Sequence, residues 1–140
     1  MIPRRAVLAL IPAALLPALL GGCAQDPVGD YLGGFGNPIR GAAMNAPRNL
    51  SDTSIYRGNP AGAAMAAAQL EFLLRSLRED PITAPQTNPA TVFALQAGVR
   101  EMREALGIRP DAPAREVEQA LRGAAFALRA GSTAQAEAAL

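Results

Sequence analysis

Cys23 is the only cysteine among 140 residues, and the chain contains neither histidine nor lysine. A thiolate is a nucleophile and a metal ligand. Without histidine, however, no Ser-His-Asp or Cys-His relay can be assembled and no imidazole can hold a metal. Without lysine there is no amine for a Schiff base. Carboxylates remain, and a hydrolase built on two of them needs both in a cleft, on opposite sides of a scissile bond. Here Glu101 and Glu104 share a helix surface, Arg100 stands four residues before Glu104, and Glu118 four before Arg122. That is the spacing of solvated ion pairs, which support a helix by about 0.3–0.5 kcal/mol each. Glu79-Asp80 reads as a solvated helix end, and a calcium loop would need more regularly spaced oxygen ligands. The expectation is a non-enzymatic protein with no catalytic residues, no metal site and no cofactor.

The setting of Cys23 gives its thiol another use. Arg4 and Arg5 precede an apolar run from Ala6 to Leu20, and the small residues Gly21 and Gly22 follow; this is the three-part layout of an export signal. A membrane span would need about 20 apolar residues, whereas this run is shorter and carries Pro12 and Pro17, which weaken a continuous helix. Leu20-Gly21-Gly22-Cys23 resembles the lipobox of bacterial lipoprotein signal peptides, a likeness that covers residues 1–23 only. The resemblance implies a diacylglycerol on the Cys23 sulfur, cleavage before Cys23, and acylation of the new amino group in many Gram-negative species. In that family an Asp directly after the Cys commonly marks inner-membrane retention. Ala24 and Gln25 stand there instead, so the resemblance implies an outer-membrane anchor, with the body expected to face the periplasm and display on the outside as the alternative. One acyl chain holds a protein only reversibly and a second makes attachment stable, at about 0.8 kcal/mol per buried methylene. Membrane lipid, through acylated Cys23, is the first partner expected.

Removing residues 1–22 takes Arg4 and Arg5 with it and leaves 11 arginines against 12 acidic residues, with no basic stripe. Nucleic-acid binding calls for clustered cations along one face, so no such partner is expected. Exclusive use of Arg among the cations, beside abundant Ala, follows a GC-rich coding bias. A lipid-bearing Cys23 leaves no intrachain disulfide, although the cell envelope would permit one. Packing alone must then stabilise about 80 residues, a size at which a single core is marginal. An envelope protein partner or self-association is expected for that reason.

Three segments follow from the pattern of glycine, proline and hydrophobic period: a signal peptide (1–22), a lipid-anchored Gly/Pro-rich tether (23–58) and a helical domain (59–140). Gly29, Gly33, Gly34, Gly36, Gly41 and Gly58, with Pro27, Pro38 and Pro47, interrupt any period in the tether. As a flexible coil it would reach roughly 30 Å. Its Tyr31-Leu32-Gly33-Gly34-Phe35-Gly36 stretch is more apolar than a spacer requires and is either a docking segment or a loop with incidental aromatics. It is not a phosphate loop, since no Lys-Ser/Thr follows.

In the domain, Asn59-Pro60 and Asn88-Pro89 each place Asn as N-cap and Pro at the first helical position, predicting helices over 60–79 and 89–106. The second closes at Gly107. A third helix, led by Asp111 or Ala112, is predicted to end at Gly131, and Ser132 with Gln135 resembles a capping box for a candidate short fourth. Three apolar stripes fit these helices: Ala66, Leu70, Leu73, Leu74 and Leu77; Val92, Leu95, Val99, Met102 and Leu106; and Val117, Leu121, Ala124, Ala125 and Leu128. Glu71, Arg75, Arg78 and Glu79 fall on the opposite side of the first. Gly62, Gly98 and Gly123 would let helices approach closely. The fold class expected is all-α, a small antiparallel bundle of three helices plus that candidate fourth.

Each principal helix also carries a phenylalanine displaced from its stripe: Phe72, Phe93 and Phe126. Either other parts of the chain cover them, or they mark a second contact surface, since an aromatic in a polar rim is an interface anchor. The function these observations point to is a non-catalytic accessory or scaffold lipoprotein of the bacterial envelope. The alternative is a helical binding module for a lipid, peptide or small hydrophobic ligand, for which a cavity lined by Leu73, Val99 and Leu121 would speak.

Overall fold

The computed structural model describes residues 37–140, which are all-helical with no strand among them. The expected leader, Cys23 and the 31–36 stretch lie outside the described residues. In chain order the helices are α1 (Pro38–Leu50), α2 (Pro60–Glu79), α3 (Pro89–Leu106), α4 (Ala114–Arg129) and α5 (Thr133–Ala139). A 3-10 turn, Thr53–Tyr56, links α1 to α2, and a second, Ala84–Gln86, lies between α2 and α3.

The arrangement centres on α2, against which α1, α3 and α4 each pack, while α5 packs on α4. Such a helix has no solvent face over its middle turns. Every residue from Met65 to Leu74 is buried except the half-buried Leu70. Small side chains make this feasible on the α4 side, where Ala67 and Ala68 meet Val117 and Leu121, with Met102, Ile108 and Ala112 packed around them. On the opposite side Ala42, Phe72 and Leu73 form a second cluster, joined by Ile39, Ala46, Leu50 and Leu95.

That second cluster corrects the expectation of an irregular tether running to residue 58. Asn37 caps α1 by accepting a hydrogen bond from the Arg40 amide at 2.9 Å, and Pro38 fills the first helical position. This is the Asn-Pro start signal that also begins α2 and α3. Ile39, Ala42, Ala46 and Leu50 then recur at helical spacing and face α2. Polar groups fix the register. Gln69 donates to the Ala42 carbonyl at 2.9 Å and accepts from Asn49 at 2.9 Å, while the Tyr56 hydroxyl donates to the Asn49 carbonyl at 2.7 Å. Interior Gly41 and Pro47 are poor helix formers, so α1 owes its helicity largely to tertiary contact.

The expected ends of α2 and α3 hold. Asn59 and Asn88 cap them by accepting from the Gly62 and Ala90 amides, and Gly107, at φ 68°, terminates α3 in the left-handed region. α4 starts later than expected, after Pro113 and with no side-chain cap. Its first turn closes on the Pro113 carbonyl, which accepts from the Glu116 and Val117 amides, while the Asp111 carboxylate is engaged by the Arg109 guanidinium at 3.0 and 2.5 Å. Ser132 accepts from the Gln135 amide to begin α5, which buries Ala136. Of the glycines expected to permit close approach, a Cβ on Gly123 would lie 3.3 Å from that of Ala139, so α5 does use that space. A Cβ on Gly98 would make only ordinary contact with Leu70 at 3.6 Å.

Two predictions follow from the encirclement of α2. Phe72→Ala is expected to destabilise the chain by about 3–5 kcal/mol, as deletion of a buried aromatic does, whereas Phe93→Ala should change stability by less than about 0.5 kcal/mol, as exposed positions do. Urea unfolding followed by far-UV circular dichroism measures both. The second concerns the turn after α2, where Asp80 accepts from the Thr83 and Ile82 amides at 2.7 and 3.1 Å. Hydrogen bonding to Thr83 holds its carboxyl below the ordinary aspartate value. A depressed folded-state pKa contributes stability above the unfolded value, about 3.9, that is lost as pH falls through the folded one. The stability difference between wild type and Asp80→Asn should therefore shrink below about pH 4, read as Tm against pH.

Candidate functional site: a groove beside α3

Within α3 only Val99 and Arg103 are fully buried. The helix leans on α2 and has little direct contact with α4, and a groove of about 880 Å³ opens along the flank that the described residues leave uncovered. Leu74, Val99, Ile108, Pro110 and Ala112 give it an apolar lining, and Arg75, Arg78, Arg100, Arg103 and Arg109 border it together with Glu71, Glu79 and Glu104. A shallower dish of about 350 Å³ lies at the turn between α2 and α3, lined by Leu77, Ala84, Pro89, Val92 and Phe93 among others. Arg78 and Gln96 line both, so the two depressions are continuous along α3.

Arg103 builds the inner wall. Its Nε and Nη2 donate to the two Glu71 oxygens at 2.6 and 2.9 Å, a bidentate pair in which Glu71 is 0% exposed. Its Nη1 donates to the carbonyls of Pro110 and Ala112, each at 2.9 Å. One guanidinium thus ties α2, α3 and the returning α3–α4 loop together, and hydrogen bonding to Glu71 raises the Arg103 pKa further above its ordinary value. Gly107 lets the chain reverse so that those carbonyls come within reach.

A second buried carboxylate corrects the expectation that Glu118 forms a solvated pair with Arg122. Glu118 is 4% exposed, and its Oε2 accepts from Arg75 Nη2 and Nε at 2.8 and 3.2 Å. Arg122 Nη1 stands 3.7 Å from the other oxygen. Packing of α4 on α2 closes over the group. Arg75 also lies 5.5 Å over the Phe72 ring. The expected Arg100–Glu104 pair does not form. Neither Arg100 nor Arg78, both exposed, makes an ion pair or hydrogen bond to a side chain among the described residues.

The three phenylalanines are not brought together. Phe72, expected on a contact surface, is 4% exposed beneath α1 and belongs to the core; its displacement from the aliphatic stripe is what aims it at α1. Phe93 is 72% exposed at the dish. Phe126 is 46% exposed on α4 and lines neither depression. Leu73 and Leu121, expected to line a ligand cavity with Val99, are core residues; only Val99 reaches the groove. Sequence reasoning passed over Arg103, although it stands four residues after Val99, on the inner side of α3.

No His/Cys/Asp/Glu group among the described residues is placed to hold a metal ion, and none of the described helices is long and apolar enough to cross a membrane. Comparison with known proteins finds no family model, curated protein or solved structure that matches this chain.

Removing one member of the buried pair leaves the other charged and unsatisfied, a change that costs about 3–5 kcal/mol. Glu71→Gln and Arg103→Met should each show a loss of that order in urea unfolding. Glu71→Leu combined with Arg103→Met removes both charges, so its loss should fall well below the sum of the singles. It should still retain about 1–3 kcal/mol, because the Pro110 and Ala112 carbonyls lose their donor.

Proposed function

We propose that this chain is a membrane-anchored lipoprotein acting as a non-catalytic accessory or scaffold component of the bacterial cell envelope. The anchor rests on Leu20-Gly21-Gly22-Cys23 at the end of an apolar leader, with acylated Cys23 joined to outer-membrane lipid and the helical body in the periplasm. The observation that carries the accessory role is the flank of α3 that the described residues leave uncovered: a helix with two buried residues, beside an open groove with an apolar lining and a charged border. Scaffold contacts of this kind need a surface that stays in place. The Glu71–Arg103 clamp fixes the groove's wall on three elements at once.

A binding module for a small hydrophobic ligand is the second reading, favoured by a groove volume within the roughly 300–1,000 Å³ of ligand pockets. The groove is open to solvent on one side, however, and the core side chains Met65, Leu73 and Leu121 do not line it. A ligand that is apolar all round would leave one side in water.

Metabolic labelling with an alkyne fatty acid tests the anchor. Wild type should take up label and fractionate with outer membranes, while Cys23→Ser should carry none and be lost from the outer-membrane fraction. An unlabelled wild type would remove the anchored half of the proposal.

A further inference from the structure

The accessory role leaves open what the α3 flank holds, and the shape and charge of that flank narrow the choice. Groove and dish are joined at Arg78 and Gln96, and together they follow α3, whose 18 residues extend about 27 Å at 1.5 Å per residue. An open channel of that length suits a ligand with one apolar face and one polar face, the signature of an amphipathic helix. An acyl chain would want a roofed tunnel.

Charge adds a register. Arg75, Arg103 and Arg109 are neutralised within the chain by Glu118, Glu71 and Asp111. Arg78 on α2 and Arg100 on α3 border the same groove with no such partner. Glu79 and Glu104 border it too, so a uniformly acidic ligand would be repelled at those points. Carboxylates are welcome only opposite the two free guanidinia, whose planar forks bind them bidentately. Phe93, 72% exposed in the dish, supplies the aromatic anchor that interfaces favour.

We propose that groove and dish form one docking site for an amphipathic helix of a partner protein, whose apolar stripe covers Ile108, Pro110 and Phe93 and whose flanking carboxylates meet Arg78 and Arg100. This deepens the accessory reading and rests on it.

The test is a selection of displayed peptides of about 18 residues, the length of α3, on the full chain held in nanodiscs of neutral lipid. Enriched sequences should carry an apolar i, i+3, i+4, i+7 stripe flanked by Asp or Glu. A synthetic copy should bind by fluorescence anisotropy, and Arg78→Glu with Arg100→Glu, both exposed sites, should weaken it at least about tenfold while leaving the circular dichroism spectrum unchanged. Exchanging the peptide's acids for lysine should restore binding to the double variant. Phe93→Ala should weaken the wild-type pair in the same assay.

No enrichment, or binders indifferent to the two arginines, would overturn the proposal. So would a dansylated fatty acid or anionic vesicles binding with the same arginine dependence, which would give the site to lipid. A Phe93-dependent dimer in sedimentation that excludes the peptide would give it to a second copy. Because the selection does not read lipid attachment, its failure with Cys23 still labelled would leave the anchor standing. Binding with Cys23 unlabelled would separate the two in the other direction.

Discussion

The buried pair of Glu71 and Arg103 holds the domain's geometry. Moving a carboxylate and a guanidinium out of water costs several kcal/mol per ion, and their attraction offsets this only when the geometry is good and the remaining protons find acceptors. Both conditions are met, since two parallel bonds join the ions and two loop carbonyls take the Nη1 protons. Those carbonyls belong to Pro110 and Ala112, immediately before α4, so the pair also determines where α4 sets out across α2. Val117 and Leu121 reach Ala67 and Ala68 from that starting point. A methionine in place of Arg103 would fill a similar volume but could not hold the loop.

The pair is needed because α2 is surrounded. A helix at the centre of a small domain must bury its whole circumference, and a wholly apolar one would say little about which neighbour goes where. α2 instead assigns a polar group to each side. Gln69 reads the α1 backbone through Ala42, Glu71 receives α3 through Arg103, and Arg75 takes Glu118 of α4. Each bond is incompatible with a one-residue slip of its helix, whereas alanine against alanine would tolerate one. Directional bonds thus supply a specificity that Ala67, Ala68, Ala124 and Ala125 cannot supply by shape.

The division between what was legible in the sequence and what was not follows the range of the interactions. Asn59-Pro60, Asn88-Pro89, Gly107 and Gly131 act within a turn of themselves, and the helix boundaries they imply are those found. Asn37-Pro38 carries the same signal and was obscured by Gly41 and Pro47, whose cost is offset by contacts with Phe72 and Leu73 that no local window contains. The ionic core was illegible for a related reason. Glu71 and Arg103 are 32 residues apart, Arg75 and Glu118 43, and each looks like a solvent-facing charge on its own helix. Arg103 alone carried a readable trace, a cation on the inner side of α3. The groove is a consequence of α3 and α4 both choosing α2, and no single segment encodes it.

The two ends of the proposed role use different sides of α2. Phe72 and Leu73 receive α1, while Leu74, Arg75 and Arg78 border the groove; at 100° per residue these are distinct sectors of one helix. α1 meets the domain at the Ala42–Gln69 contact, away from the residues that line the groove. A partner seated along α3 would then have no need to displace α1, and an anchored chain would hold its docking surface ready without a switch. In the proposed role, lipid attachment would act through concentration: a partner held at the same membrane would meet the site in an effectively intramolecular encounter, so a modest contact, such as one stripe and two ion pairs, would suffice where free diffusion would require a larger interface.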